Sequence, residues 1–280
     1  MLTDNHTNTV FFSSLLPEKC PILNAHIVDA LQKHEIPYAY LYGTKDIWCR
    51  DFMPIQIDED RFVFYKYTPN YLQDKTGLQL QTNLEDVFQA EADQLQSIKQ
   101  KSIAMDLVID GGNVVKCGDK IVMTDKVFVE NKNKTPQEVK WLLEEAFCCE
   151  IVFLPWDRYE KYGHSDGIIH YLGDNRVLIT NYADFDKAFA QKFLQILEKH
   201  FDVAIMNYTM EKTNKNSWSY INYLQVGHHV LVPQLGILED EQALEQIINA
   251  LPEFDVVGIP AIEAVRRGGA LNCISWNIKA

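Results

Sequence analysis

Around residue 270 the chain reads Gly268-Gly269-Ala270-Leu271-Asn272-Cys273-Ile274-Ser275-Trp276. Small residues let a backbone approach a ligand closely. Here they deliver one cysteine to the head of an apolar, strand-like segment. Taken alone, such a cysteine is more often an inert core thiol than a nucleophile. A second segment, Gly163-His164-Ser165-Asp166-Gly167, alters that weighing. In an extended chain, residues two apart share a face, so His164 and Asp166 can serve as a general acid-base pair. Thiol catalysis ordinarily draws its cysteine and histidine from distant parts of the sequence. Asp51 and Asp110 each follow a loop, as Asp166 does, and add further carboxylates. Carboxylates that converge on one pocket repel unless a proton, a metal or a cation lies among them. Nothing in the chain has the spacing of a calcium loop. A planar guanidinium fits best: two carboxylates grip its forked donors while its carbon stays open to a thiolate.

The histidine segment also spells G-x-S-x-G, the pattern of a serine nucleophile elbow. That elbow needs a strand before it and a helix after it. Here an aromatic loop precedes and strand-like Ile168-Ile169-His170-Tyr171 follows, so a serine hydrolase is rejected.

The elements that must hold these residues recur. Helices are expected over 21–34, 83–97, 135–148, 184–201 and 240–250. The third starts at the capping box Thr135-Pro136-Gln137-Glu138, and Asp184 and Asp240 are read as caps of the last two. A strand should follow each helix, at 38–41, 106–109, 151–154, 203–207 and 256–259, and then a loop. Hairpins are expected at 53–57 with 62–67, 114–116 with 121–124, 168–172 with 176–180, and 220–226 with 229–233. A last strand, 274–278, lacks a partner, and Val10-Phe11-Phe12 can supply one and close a ring. The loop-to-hairpin junctions carry Asp51, Asp110, Asp166, Asn222 and Cys273, at intervals of 59, 56, 56 and 51 residues. Such a period is that of propellers and arrays. A closed radial arrangement would aim all five junctions at one centre.

Composition sets outer limits. The 280 residues are 47% apolar and carry a net charge of −13, which suits an acidic globular protein without the basic cluster that nucleic acid or anionic membranes require. The six cysteines show no C-x-x-C pair and are expected as thiols. His228-His229 alone is too little for a zinc site, so no metal is expected. No basic-then-apolar leader is visible and no run reaches membrane-spanning length, so a cytoplasmic protein is expected.

Four segments, in order across nearly the whole chain, resemble the guanidino-group-modifying enzymes of the pentein fold, nearest the agmatine deiminases and bacterial peptidyl-arginine deiminases. They are Asp46-Ile47-Trp48-Cys49-Arg50-Asp51 with Pro54, Asp110-Gly111-Gly112-Asn113, Gly163-His164-Ser165-Asp166, and Gly268 to Ile274. The resemblance implies a single domain over 1–280, a five-bladed α/β-propeller of pseudo-fivefold ββαβ units. It implies a cofactor-free hydrolase acting on a cationic guanidino compound, agmatine first. Cys273 would attack the guanidinium carbon, and Asp51 and Asp166 would hold its nitrogens. His164 would protonate leaving ammonia and then activate water. Asp110, Trp48, Arg50, Asn113, Asn222 and Gly269 would complete the substrate site. The sequence departs from the family pattern at Met53 and Ala270, where glycine is usual, at Asn272, where histidine commonly stands, and at Asp110, often glutamate. Arginine or peptidyl-arginine deimination, amidino transfer, a non-catalytic binding ring and a homodimer remain open on the sequence.

Overall fold

A computed structural model describes residues 1–210 and 212–280, with the backbone alone for 92–94. Among the described residues, fifteen strands form five three-stranded sheets. The strands are β1 Thr9–Ser13, β2 Tyr38–Leu41, β3 Ile55–Asp58, β4 Arg61–Lys66, β5 Ser102–Val108, β6 Val115–Cys117, β7 Lys120–Thr124, β8 Glu150–Leu154, β9 Ile169–Gly173, β10 Arg176–Ile179, β11 Asp202–Ile205, β12 Leu224–Val226, β13 His229–Gln234, β14 Asp255–Pro260 and β15 Ser275–Ile278. In every sheet the middle strand pairs antiparallel with one neighbour and parallel with the other. The parallel pair demands a crossover, and each crossover carries helix. These helices are Pro21–Lys33, the consecutive pair Leu84–Ala90 and Ala92–Gln100, Pro136–Phe147, Lys187–Leu197 and Glu239–Ala250.

The ring closes as expected. β1 pairs antiparallel with β15, placing Val10 opposite Asn277 and Phe11 opposite Trp276. Burial demonstrates the closure independently, because five apolar clusters each join one sheet to the next. Val10 and Ile274 pack with Leu224 and Leu231, and Phe11 and Trp276 pack with Phe62. Val63 and Leu107 pack with Ile121, Val122 packs with Ile169 and Val177, and Leu178 packs with Val230. Each cluster also takes in the apolar stripe of a crossover helix, such as Val139, Leu143 and Ala146 of Pro136–Phe147. The molecule is a five-bladed α/β-propeller, with its core in the seams between blades.

Two expected caps are corrected. Asp184 lies two residues too early. The helix Lys187–Leu197 is capped by Asp186, whose side chain accepts from the Phe189 amide. Asp240 sits inside its helix and folds back to accept from the amides of Leu235, Gly236 and Ile237. The Thr135 capping box forms as read. The strand expected at 220–226 is half its length, because Ser217–Tyr220 winds into a 3-10 turn.

That turn is general. Asp51 lies in the single turn Cys49–Phe52, Asp110 caps Gly111–Asn113, and Asp166 lies in Ser165–Gly167. Asn222 follows Ser217–Tyr220, and Cys273 lies in Leu271–Ile274. Each junction is therefore a short helical turn, not an extended segment, set at the head of a blade's first strand. Behind these turns stands a second polar ring that sequence reading missed. Gln56, Lys116, His170, Gln225 and Asn277 occupy β3, β6, β9, β12 and β15, one to a blade, and all are buried or nearly so.

Candidate active site

The turn containing Cys273 is positioned from three sides. Its backbone N–H donates to Asn222 Oδ1 at 3.2 Å, and the Asn222 amide donates to the Asp166 carbonyl at 3.2 Å. Arg50 reaches across to donate to the Asn272 carbonyl at 3.3 Å and to Asn277 at 2.6 Å. The Trp48 ring lies so close to Gly269 that any Cβ there would collide with it. Trp48, Arg50, Asn222 and Gly269 thus brace the cysteine turn.

With the turn fixed, the thiol of Cys273 lies 3.5 Å from Asp166 Oδ2. The same oxygen accepts from Asn272 Nδ2 at 2.8 Å. Across the centre, His164 is held by two other carboxylates. Its Nε2 is 2.9 Å from Asp110 Oδ2, and its Nδ1 is 3.7 Å from Asp51 Oδ1. The approach to Asp51 needs glycine at 112. A Cβ there would lie 2.6 Å from His164 Nδ1 and 2.7 Å from Asp51 Oδ1. The Gly112 amide donates to that same Asp51 oxygen at 3.2 Å.

This corrects the pairing read from sequence. His164 is extended but Asp166 lies inside the 3-10 turn Ser165–Gly167, so the two do not work as neighbours on one face. His164 belongs with Asp110 and Asp51, and Asp166 belongs with Cys273. Asn113 stands apart: its amide bonds the backbone of Thr124 at both ends and anchors β7. Met53, where the pattern has glycine, is fully buried, and its carbonyl accepts from the Tyr65 hydroxyl.

Sequence reading missed Lys126. It is wholly buried, with its ammonium 2.9 Å from Asp110 and 3.1 Å from Glu130, under the ring of Tyr71 at 4.7 Å. The i,i+4 spacing to Glu130 was visible, but in sequence it reads as an ordinary solvated helix pair. Also missed was the aromatic wall. A cavity of about 480 Å³ opens over His164, Asp166 and Cys273, lined by Trp156, Tyr162, Tyr182 and Trp218 among others. A larger groove of about 860 Å³, around Met1, Asp58 and Cys148, shares no residue with it and holds none of this chemistry.

Charge explains how the site stands ready. Burial drives the Cys273 thiol well above its usual range, and the negative charges of Asp166 and Asp51 push it further. Burial disfavours charge on His164, but Asp51 and the hydrogen bond to Asp110 outweigh it and hold the imidazolium to about pH 9. Asp51 is pushed up to about 7 by burial, against the pull of His164 and with Asp110 and Asp166 adding to the rise. Burial opposes ionisation of Asp110 too, yet His164 and Lys126 keep it below the usual carboxylate range. The resting site is therefore a neutral thiol, a cationic imidazole and a surplus of carboxylate. A cation bound among these carboxylates would reverse the potential at the sulfur and release the thiolate.

Comparison with known proteins places this geometry. A Vibrio parahaemolyticus protein provisionally named an agmatine deiminase is 24% identical over 210 residues, covering 62% of this chain and 58% of that protein. The chain thus spans just under three fifths of that relative. An agmatine deiminase of C. jejuni superposes with a TM-score of 0.77 at 18% identity, covering 100% of this chain and 95% of that one. A Pseudomonas aeruginosa DDAH mutant complexed with citrulline superposes with a TM-score of 0.62 at 12% identity, covering 97% and 99%. These likenesses carry the fold, which is the pentein propeller. The profile of one family runs through all four segments quoted above and through the ring from residue 18 to residue 278. With the match spanning both halves of the site, the chain belongs to the Porphyromonas-type peptidyl-arginine deiminases.

Proposed function

We propose that the chain, acting as one catalytic domain, hydrolyses a small cationic guanidino compound, agmatine foremost, to the ureido product and ammonia. One observation carries the reading: a thiol, an imidazolium and a surplus of buried carboxylates meet at the floor of a cavity walled by aromatic rings. Aromatic faces favour a cation, and the carboxylates Asp51, Asp110, Asp166 and Glu130 outnumber the two cations, His164 and Lys126, set among them. The names of the relatives, agmatine deiminases among them, support the same substrate class.

In this mechanism Asp51 and Asp166 take the guanidinium nitrogens, and Cys273, ionised by the bound charge, adds to the central carbon. His164 gives its proton to the departing nitrogen, and the C–N bond breaks to leave a thiouronium on Cys273. Water attacks that carbon while His164 accepts its proton. The C–S bond then breaks, and the thiol and the ureido product are released. Asp110, buried against Lys126, orients the imidazole and never meets substrate. No step requires a cofactor. A cytoplasmic setting and a place in putrescine formation belong to the same proposal, and no helix among the described residues is long and apolar enough to cross a membrane.

The test is a panel of agmatine, arginine, methylated arginine and an arginyl peptide, assayed for ammonia and ureido product beside Cys273→Ala. Equal amounts of both products, from agmatine above the others and absent with the variant, support the proposal. Amidinated acceptor would replace hydrolysis by transfer. Silence across the panel would leave a binding ring.

A further inference from the structure

Far from the cavity, three side chains from three elements converge where the closing sheet meets its neighbour. His34 is the C-cap of the helix Pro21–Lys33. His229 opens β13 and lies directly beside Asp255 of β14 in the parallel register. One ligand atom from each residue can be chosen so that all three lie within 4.8 Å of one another. The His34 and His229 rings sit 4.4 Å apart, and His229 Nδ1 is 3.4 Å from Asp255 Oδ2. His229 Nδ1 is shut off from solvent and makes no hydrogen bond among the described residues, an uncommon state for a buried polar atom.

We propose that His34, His229 and Asp255 form a binding site for a divalent transition-metal ion such as zinc, which nothing in the proposed chemistry uses. Two imidazoles and one carboxylate suit zinc, cobalt, nickel or copper, whereas calcium and magnesium require oxygen donors. Zinc stands about 2.0–2.1 Å from an imidazole nitrogen, so donor atoms this close need small side-chain rotations to meet on one ion. All three side chains are at least partly exposed and free to make them. Coordination takes neutral imidazole. The site escaped sequence reading because its ligands lie about 200 and 25 residues apart, without the paired spacing that marks zinc motifs. Its position gives it work. The Pro21–Lys33 helix shares an apolar cluster with Leu224, Val226 and Leu231 of the neighbouring sheet, so an ion would pin the helix to that sheet at the seam where the ring closes.

The experiment is a cobalt(II) titration of the untagged full chain, followed by visible absorption, with melting temperature in zinc read in parallel. One equivalent should bind without thiolate-to-cobalt charge transfer, and zinc should raise the melting temperature by a few degrees. His34→Gln, His229→Ala and the surface change Asp255→Asn should each weaken cobalt binding by roughly tenfold or more and cancel the zinc shift. Cys148→Ser and Cys273→Ala should leave both readouts in place. Asp255→Asn, on an exposed side chain, keeps the test decisive if His229→Ala fails to fold. Thiolate absorption, binding unchanged in His34→Gln and Asp255→Asn, or no binding at millimolar cobalt would each overturn the site.

Discussion

The ring of junction residues and the ring of mid-strand residues behind it come from the same repeat, yet they treat buried charge in opposite ways. At the front, Asp51 and Asp110 face His164, Asp110 also meets Lys126, Asp166 lies against the Cys273 thiol, and Asp51 resists ionisation up to about pH 7. At the back, the N-terminal Asp4 inserts toward Lys116, 3.2 Å away. Arg50 donates to Asn277, and the Asn277 amide donates to the Gln225 carbonyl at 2.7 Å. Burial pushes Asp4 up, but the charges of Lys116 and Arg50 outweigh it and keep it below its ordinary range. His170 stacks on Tyr223 and is forced by burial down to about 4, so it stays neutral. The back ring is matched and serves cohesion. The front ring is mismatched: its carboxylates outnumber the cations His164 and Lys126. Asp166 borders both the cavity and a pocket of about 30 Å³ within the back ring.

If the contrast holds, substitutions in front should cost activity with little loss of stability, and those behind should do the reverse. The largest effect expected is Cys273→Ala, which should lower guanidine hydrolysis by about 10⁴-fold or more, measured as ammonia release, while the melting temperature stays level. Next comes Asp166→Asn, with a fall in kcat/KM of roughly 10²–10³-fold. It carries a second signature. Removing that charge should move the pH midpoint of Cys273 alkylation downward, and an unmoved midpoint would break the electrostatic account. Gly112→Ala should wedge His164 from Asp51 and lower kcat by about 10–100-fold. Behind the site, Lys116→Met leaves Asp4 buried without its partner and should lose about 3 kcal/mol in a denaturant titration, with kcat/KM nearly unchanged. A large loss of turnover without unfolding would erase the division between the rings.

The smallest effect is on stability against pH, and its sign differs between the two rings. His164 has its folded pKa raised to about 9. Its contribution is complete below about pH 6.5 and is lost as pH rises through 9. Asp51, also raised, contributes fully below about pH 3.9 and loses that contribution through about 7. His170 is depressed to about 4, so its contribution is complete above about pH 6.5 and is lost as pH falls through 4. Melting temperature should thus decline by a few degrees from pH 6.5 to 9.5, and Asp51→Asn should flatten that alkaline limb through His164 and also remove the decline between about pH 3.9 and 7.

Much of this was legible in sequence because it repeats. Alternating and helical apolar patterns marked the blades, and the regular return of Asp51, Asp110, Asp166, Asn222 and Cys273 marked the front ring. The local geometry was not legible. A single helical turn such as Leu271–Ile274 is too short to show periodicity, so the histidine segment was read as extended and His164 was given the wrong carboxylate. Asp186 and Asp184 are equally good caps by residue type, and the choice between them is made by packing. The back ring hid for another reason. One buried polar residue per strand, such as Gln225 or Asn277, looks like the outward half of an alternating strand until closure turns it inward.

Closure has a consequence for when the thiol acquires its surroundings. The bond between Asn277 and Thr7 joins residues 270 positions apart, and contacts so remote in sequence are slow to form during folding. The segment that presents Cys273 is seated by that same late docking, through β15 against β1. A chain still assembling therefore carries Cys273 as an ordinary cysteine, without Asp166, Asn222 and Asn272 set around it.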